Sequence, residues 1–150
     1  MSKKIWGPIT WELFHVMGEN LNTLNYNEIQ DSVNIIVLIC NNLPCPDCSR
    51  EAMSKIKKYN LKFIITKEDV KLFIFYLHNS VNETLNKVIY NENELHIYKN
   101  KNINIKLNNF FNVYNKIKGS NNLIMFSFHR NTMLKNTRNY FLKNIHLYAN

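Results

Sequence analysis

Apolar residues recur every three or four positions along most of the chain, which is the spacing that gives an α-helix one buried face. The first stretch predicts a helix that begins near Gly7 and Pro8, or at Thr10, and ends before a polar segment over 18–27. A second helix is predicted over 28–43. Its β-branched run, VNIIVLIC, is also compatible with a buried strand, but its length and periodicity favour a helix.

Two cysteines separated by two residues mark the predicted start of a third helix, which runs to about residue 59. Pro46 suits the first turn of a helix, where its missing N–H removes no hydrogen bond. Asp47 suits the positive end of the helix dipole. Cys45 and Cys48 are therefore expected at a helix N-terminus.

The fourth predicted helix has the clearest signal in the sequence. Thr66 and Asp69 resemble a capping box, with Asp in place of the usual Glu or Gln. An apolar stripe of about six turns follows, formed by Val70, Phe73, Leu77, Val81, Leu85 and Val88. A short fifth helix is predicted over 92–99.

The last third of the chain also carries helical spacing. One amphipathic helix is predicted from the apolar positions Leu107, Phe110, Phe111, Tyr114 and Ile117. A loop is predicted over 119–122. A further helix is predicted over 131–148, with one side formed by Leu134, Phe141, Ile145 and Tyr148. The chain is therefore predicted to be all-α.

The composition agrees with a helical core and divides the chain into two parts. Hydrophobic residues make up 45% of the 150 residues, and three glycines and three prolines are too few for a turn-rich β-sandwich. Residues 1–94 contain ten Lys or Arg and eleven Asp or Glu, whereas residues 95–150 contain nine Lys or Arg and no acid. This break predicts one domain over 1–100 and a basic, helical extension over 101–150.

The sequence lacks the features of a secreted or membrane-spanning protein. Its basic N-terminus is not followed by an apolar run and a small-residue cleavage site, so no signal peptide is predicted. The longest apolar run, 33–40, is too short to span a bilayer. Three cysteines are too few for a secreted disulfide scaffold, so a soluble, cytoplasmic protein is expected.

The spacing of Cys45 and Cys48 is compatible with three kinds of chemistry. A structural zinc site needs four ligands, and no second cysteine pair or close histidine pair follows, which disfavours a metal. A thioredoxin-like site needs a cis-proline after the pair, but Pro46 is the last proline. Two inert buried thiols are the third interpretation, although a helix N-terminus would stabilise the reactive thiolate.

Three segments together favour a redox function. They are WGPITWELFH at 6–15, LPCPDC at 43–48 and LHNSVNETLNK at 77–87. In this order and at these distances they resemble the Erv/ALR family of FAD-dependent sulfhydryl oxidases, especially the poxvirus-like and asfarvirus-like members of large DNA viruses. The resemblance covers about residues 5–100 and implies a four-helix bundle around FAD with a short fifth helix.

The resemblance also implies which residues carry the chemistry. Cys45 and Cys48 match the redox-active pair, with Cys45 facing the substrate and Cys48 next to the flavin. The residues implied to contact FAD are Gly7, Trp11, His15, Cys48, His78, Asn79, Val81, Asn82, Leu85 and Lys87. Taken alone, Trp11 and His78 would be interpreted as core residues. Asn82 lies on an apolar stripe and needs a polar partner, which a cofactor would supply.

The implied reaction is disulfide formation in protein substrates. A substrate dithiolate attacks Cys45, Cys48 is released as a thiolate, and electrons pass through FAD to dioxygen to give hydrogen peroxide. The resemblance implies a homodimer whose substrates reach Cys45 directly or through a small thiol relay protein, and a viral member would act in the infected-cell cytoplasm and the virion. Cys40 has no counterpart in the family and is expected to be an inert buried thiol.

Two alternatives to an FAD-linked oxidase stay open. A flavin-free thiol–disulfide oxidoreductase would use the same cysteine pair. A basic structural or nucleic-acid-binding virion protein would use residues 101–150, whose cations and interleaved aromatics attract anions. The apolar spacing of this extension favours a helical layer packed on the core instead, and a dimer interface is a further interpretation.

Overall fold

The computed structural model describes residues 1–117 and 124–148, and no strand occurs among them, which confirms the all-α class. The α-helices are α1 (Lys3–Asn20), α2 (Tyr26–Cys40), α3 (Pro46–Ile56), α4 (Lys67–Thr84), α5 (Ile103–Asn115) and α6 (Ile124–Asn144). Short 3₁₀ helices lie at Leu61–Phe63, Glu92–Tyr98 and Ile145–Tyr148. The loop predicted over 119–122 lies outside the described residues. In the described part of the chain, no helix has the length and apolar character needed to cross a membrane.

The first helix begins earlier than its sequence predicts. α1 starts at Lys3, so the predicted start near Gly7 is wrong. Pro8 lies inside the helix, where it lacks the N–H that would bond to the carbonyl of the preceding turn. The first turn forms nonetheless because Trp6 is buried in the core, and tertiary packing outweighs the lost hydrogen bond.

The β-branched run forms a helix, as its periodicity predicted. Asn25 caps α2 by accepting the N–H of Glu28 at 3.1 Å. The apolar residues of α2 that are buried are Ile29, Val33, Ile35, Ile36, Ile39 and Cys40. α2 ends at Cys40 instead of residue 43. α3 begins at Pro46, as predicted, and ends at Ile56.

The fourth helix begins with the predicted capping box. The Thr66 hydroxyl accepts the N–H of Asp69 at 3.1 Å, and the Asp69 carboxylate accepts the N–H of Thr66 at 3.0 Å. The first part of the predicted apolar stripe, Val70, Phe73 and Leu77, is buried in the core. Local capping and apolar periodicity thus agree at this end of α4.

The predicted stripe is wrong in its last part, because α4 ends at Thr84. Asn86 has a φ of 55°, in the left-handed region, and the N–H of Lys87 bonds to the carbonyl five residues earlier at 2.8 Å. These features form a Schellman motif, which ends the helix and redirects the chain. Leu85 and Val88 are consequently 39% and 77% exposed instead of buried.

α1 and α4 run antiparallel and approach each other closely at a glycine. Gly18 lies against Lys71 and Ile74, whereas Trp11, earlier in α1, lies against His78, later in α4. A Cβ atom at Gly18 would lie 2.8 Å from Ile74 Cδ1 and 3.3 Å from Lys71 Cα. The missing side chain therefore lets the two helix backbones approach.

The basic extension packs on the helices that precede it. The hydroxyl of Tyr114 on α5 hydrogen-bonds with the hydroxyl of Thr10 on α1 at 2.7 Å. Lys106 pairs with Glu12 at 2.7 Å. The described residues of the extension that belong to the common hydrophobic core are Ile103, Leu107, Phe110, Tyr114, Met133, Leu134, Phe141, Leu147 and Tyr148. Its apolar spacing therefore serves burial against the core.

Gly18→Ala should lower the free energy of unfolding by about 1–2 kcal/mol, because the new methyl group overlaps the fully buried Ile74 and crowds the backbone of Lys71. Urea denaturation measures the change. Gly7→Ala is the matched control on the same helix, since a Cβ atom there would meet Lys3 Cγ at 3.5 Å and no other atom of the described residues within 4 Å. It should raise the stability by about 0.5–1 kcal/mol. Equal effects of the two substitutions would contradict the close packing at Gly18.

Candidate active site

An aromatic cluster joins α1 to α4. The Trp11 ring stacks on the His78 ring, with centroids 4.0 Å apart and planes 9° apart. His15 lies one turn after Trp11, on the same face of α1. Its Nε2 hydrogen-bonds with Nδ1 of His78 at 2.8 Å. The structure therefore brings three of the predicted site residues into direct contact.

Burial holds both histidines of the cluster in their neutral form. It lowers the pKa of His15 to about 4. The pKa of His78 is lowered to about 3, by burial first and then by the charges of His15 and Lys87. At neutral pH one ring therefore supplies the N–H of the His15–His78 hydrogen bond and the other supplies the lone pair. The cluster carries no net charge of its own near pH 7.

Two tyrosines from the segment after α4 extend the cluster. Tyr98 stacks on His15 with centroids 4.8 Å apart, and the Tyr90 ring lies 5.5 Å from the His78 ring. Asn79 holds this segment against α4. Its side-chain amide donates to the Tyr90 carbonyl at 2.9 Å and accepts the Tyr90 N–H at 3.0 Å. Asn79 therefore positions a wall of the cluster.

The sequence analysis did not identify Tyr90 and Tyr98 as site residues. Asn91 and Glu94 form a capping box at the start of the 3₁₀ helix Glu92–Tyr98. In this capping box the Asn91 N–H donates to the Glu94 carboxylate at 3.1 Å. This Asn-x-x-Glu pattern between two tyrosines was an available signal for an ordered turn. The 3₁₀ helix is held against α1 by Asn20, whose side-chain amide donates to the Tyr98 carbonyl at 2.9 Å.

A cavity of about 320 Å³ opens beside the cluster. Its lining residues are His15, Phe75, His78, Asn79, Tyr90, Glu94, Leu95, His96, Ile97 and Tyr98. Aromatic and apolar side chains therefore form most of its wall, with a few polar groups among them. This composition is typical of small-molecule sites and suits a planar ring.

Asn82 lies one turn after His78 on α4 and is 5% exposed. Among the residues that the structure describes, no acceptor lies within hydrogen-bond distance of its side-chain Nδ2. A buried amide N–H without an acceptor costs roughly 1–3 kcal/mol. The position therefore fits a bound group that supplies an acceptor atom.

The other residues implied to contact the cofactor lie on α1, on α4 or just after the end of α4. Gly7 is on α1, one turn before Trp11, and Val81 is half-buried on α4. Leu85 and Lys87 are both exposed, because they follow the end of α4. The structure therefore places Leu85 and Lys87 outside the buried cluster.

The two predicted catalytic cysteines form a disulfide at the start of α3, with Cα atoms 5.2 Å apart. Cys45 is the N-cap of α3, and its sulfur accepts the N–H of Cys48 at 3.2 Å. The Ser49 hydroxyl accepts the N–H of Leu43 at 2.9 Å and fastens the turn that precedes the pair. Both sulfur-bearing residues are partly exposed.

Cys40 is excluded from this chemistry by its burial. It is 2% exposed, and burial raises the pKa of its thiol to about 12. The reactive thiolate therefore does not form near neutral pH. Within residues 1–117 and 124–148, no group of three or more His, Cys, Asp or Glu is arranged to hold a metal ion.

The disulfide and the aromatic cluster belong to different helices of one core. Cys45, Cys48 and Trp11 all pack against the same hydrophobic core, which includes residues of every α-helix. α3 is fixed to α4 by the ammonium group of Lys55, which donates to the Thr84 hydroxyl at 2.7 Å. In the described part of the chain, hydrogen bonds and ring contacts do not join the disulfide directly to the cluster. Helix packing connects the two parts of the site.

The disulfide and the aromatic cluster both lie in a part of the chain that matches a known protein family. The model of the Erv1/Alr family matches residues 8–103, a range that includes the disulfide and every ring of the cluster. The chain belongs to the Erv1/Alr family. The resemblance of the three sequence motifs is thereby confirmed, and α6 lies beyond the matched range.

Two viral relatives have similar sequences. A protein of African swine fever virus, named FAD-linked sulfhydryl oxidase, is 32% identical over 96 residues, which are 63% of this chain and 77% of that protein. A protein of Invertebrate iridescent virus 3 is 31% identical over 88 residues, which are 56% of this chain and 58% of that protein. The asfarvirus-like resemblance is therefore confirmed. No solved structure matches the chain.

Stability should fall between neutral pH and about pH 5, because His15 and His78 stay neutral in the folded protein but take up protons in the unfolded chain. Their folded-state pKa values lie below the ordinary 6.5. The contribution of the two neutral rings to the free energy of unfolding is therefore complete above pH 6.5 and is lost as the pH falls toward about 4. The loss at about pH 5 is roughly 2 kcal/mol for one such histidine. Urea denaturation at the two pH values measures it.

Two substitutions isolate this contribution. His78→Gln should reduce the fall in stability, since it removes one of the two lowered pKa values. His129→Gln is the control, because His129 is exposed on α6 and should leave the fall unchanged. An equal fall in the His78→Gln protein and the parent chain would show that the cluster does not cause it.

Proposed function

We propose that this chain is an FAD-linked thiol oxidase that forms disulfide bonds in protein substrates. The observation that carries the proposal is the Cys45–Cys48 disulfide at the N-terminus of α3, within the segment that the Erv1/Alr family model matches. The name of the African swine fever virus relative, FAD-linked sulfhydryl oxidase, supports the same activity.

The disulfide accepts the two electrons of a substrate dithiol through two exchange steps. A substrate thiolate attacks the sulfur of Cys45, which forms a mixed disulfide, breaks the Cys45–Cys48 bond and releases Cys48 as a thiolate. The second substrate thiolate then attacks the substrate sulfur of the mixed disulfide. This step releases Cys45 as a thiolate, leaves a disulfide in the substrate and leaves the chain with two reduced sulfurs. The two protons that the substrate dithiol gave up pass to these sulfurs or to solvent.

The start of α3 supports Cys45 as the sulfur that meets the substrate. The Cys45 sulfur accepts the N–H of Cys48, and the positive end of the helix dipole lies at this N-cap. Both interactions stabilise negative charge on Cys45. A stabilised thiolate leaves more readily in the second exchange, which favours release of the oxidised substrate.

The cluster on α1 and α4 is suited to hold FAD. Trp11 and His78 offer stacked aromatic surface, and Asn82 offers a buried N–H without a partner among the described residues. The neutral His15–His78 pair can exchange donor and acceptor roles toward a polar ring edge. Bound FAD supplies the two-electron chemistry that restores the Cys45–Cys48 disulfide, with dioxygen as the proposed acceptor and hydrogen peroxide as its product.

The alternative functions have less support. A flavin-free oxidoreductase would explain neither the unpaired buried amide of Asn82 nor the aromatic cavity. A structural or nucleic-acid-binding role would depend on residues 101–150, where many of the apolar side chains belong to the hydrophobic core. We therefore favour the oxidase.

The purified protein should be yellow and should consume dioxygen when it is given dithiothreitol. Cys48→Ser should keep bound FAD but lower the rate of oxygen consumption by at least about a hundredfold, because the pair can no longer form a disulfide. Flavin absorbance and an oxygen electrode measure the two properties. A colourless, folded protein after addition of FAD would refute the proposal.

Cys40→Ala is the matched control for the cysteine variants. It removes a buried thiol that lies outside the disulfide, so it should lower the free energy of unfolding by about 1 kcal/mol and leave the turnover rate unchanged. Full oxidase activity in Cys48→Ser, or loss of activity in Cys40→Ala, would contradict the assignment of the redox pair.

Asn82→Leu should change stability and cofactor affinity in opposite directions. In FAD-free protein the substitution removes an unsatisfied buried N–H, so the free energy of unfolding should stay unchanged or rise by about 1 kcal/mol. FAD affinity should fall about tenfold, because one hydrogen bond to the cofactor is lost. Calorimetric titration and urea denaturation measure the two effects.

Thr137→Val provides the comparison, since the hydroxyl of Thr137 is also buried without a partner among the described residues but lies on α6. It should likewise leave stability unchanged or higher, while FAD affinity stays the same. If Asn82→Leu retained the parent affinity for FAD, its assignment as a cofactor contact would be wrong.

A further inference from the structure

A groove runs beside the redox disulfide, with residues of α2 and α3 on one side and residues of α6 on the other. It encloses about 790 Å³, which is within the size range of ligand-binding clefts. Leu43 and Pro46, which bracket Cys45 in the chain, line this groove, and so does Ser49, which follows Cys48. The groove therefore reaches the segment that carries the reactive sulfurs.

The α6 wall of the groove lies beyond residue 103, where the family match ends. Phe126 and Met133 give this wall an apolar character, and Met53 lines the groove from α3. The Phe126 ring is 48% exposed, so a bound partner could cover it. Met53 is partly exposed, and its flexible, polarizable side chain lets the surface accept different apolar side chains.

The groove carries positive charge. Arg50 and Lys57 line it, and no carboxylate among the described residues does. The carboxylates of α3 already have partners, since Asp47 pairs with Arg50 and Glu51 pairs with Lys55 at 3.2 Å. Lys57 has no ion-pair partner in the described part of the chain, and α6 contains no acidic residue.

We propose that this groove docks an extended, acidic segment of the protein substrate and so presents the substrate thiols to Cys45. The inference deepens the proposed function and rests on it. Lys57 would attract the carboxylates of the segment, while Met53 and Phe126 would cover an apolar side chain. A nucleic acid would need several rings for base stacking, but Phe126 is the one Phe, Tyr or Trp among the described lining residues.

The groove is separate from the cavity beside the aromatic cluster. The two share no lining residue among those described. A substrate segment in the groove therefore leaves the cluster free for a cofactor. A substrate in the groove and a cofactor on the cluster would then not compete for the same space, as alternating reduction and oxidation of Cys45 and Cys48 requires.

Fluorescence anisotropy with the full-length, FAD-loaded protein at low ionic strength tests the docking. The probe is a short labelled peptide rich in Asp and Glu, with one Leu and with Ser in place of both thiols, so that binding is measured without turnover. A second peptide carries Lys in place of every acid. We expect the acidic peptide to bind at least about tenfold more tightly, and Lys57→Glu and Phe126→Ala each to weaken its binding about fivefold.

Lys58→Glu and Phe128→Ala are the matched controls, since each alters an exposed neighbour of the same type that does not line the groove. Both should keep the parent affinity for the acidic peptide and the parent rate of dithiothreitol oxidation. If Lys57→Glu and Lys58→Glu weakened binding of the acidic peptide equally, the effect would come from the overall charge of the protein and not from the groove, and the proposal would be overturned. Tighter binding of a single-stranded oligonucleotide that displaces the peptide would overturn it in favour of a nucleic acid.

Turnover separates this inference from the proposed function. The acidic peptide with both cysteines restored is compared with dithiothreitol, and the ratio of their kcat/KM values should fall about fivefold in Lys57→Glu. If both dithiols are oxidised but the ratio does not change, the groove inference fails and the proposed function stands. If neither is oxidised although the acidic peptide binds, the proposed function fails, and the substrate role of the groove fails with it.

Discussion

At Gly18 the backbone of α1 lies against the backbone of α4, because a glycine has no side chain to hold the helices apart. This approach allows Trp11 and His78 to stack with centroids 4.0 Å apart. It also removes His15 and His78 from water, which lowers the pKa of both rings and leaves the pair neutral. Asn82 lies one turn after His78, is buried, and has an amide N–H with no protein partner among the described residues. The packing distance between two helices therefore sets the stacking geometry of the cluster and keeps its two histidines neutral.

The basic extension is part of the same core and gives the chain a surface that the family match does not include. Tyr114 hydrogen-bonds with Thr10 on α1, so α5 covers α1 with a satisfied polar contact. α6 then places Phe126 across from α3, beside the turn that carries the disulfide. Lys135 and Lys143 lie on the solvent side of these helices, while Phe110, Tyr114 and Phe141 are buried in the core. Its composition thus reflects two separate demands, core packing and surface charge.

Local signals predicted the starts of α3 and α4 correctly but not the end of α4. Thr66 and Pro46 mark starts correctly, because capping and first-turn chemistry involve only a few consecutive residues. The apolar period continues through Val88, yet α4 ends earlier, because Asn86 adopts a left-handed conformation that closes a Schellman motif. The start of α1 was missed for the opposite reason, since burial of Trp6 outweighs the local effect of a proline.

The sequence by itself determined the all-α class and the position of the cysteine pair at a helix N-terminus, whereas the cofactor contacts implied by the family resemblance stay predictions. Only the tertiary structure decided that Trp11 stacks on His78, that Tyr90 and Tyr98 join them, and that a groove with a wall from α6 reaches the segment around Cys45. The physical reason is the distance along the chain over which each interaction acts. Helix period, capping and cysteine spacing act within a few residues, whereas stacking, burial and the lowered pKa values depend on side chains that are far apart in the chain and meet only when the helices pack.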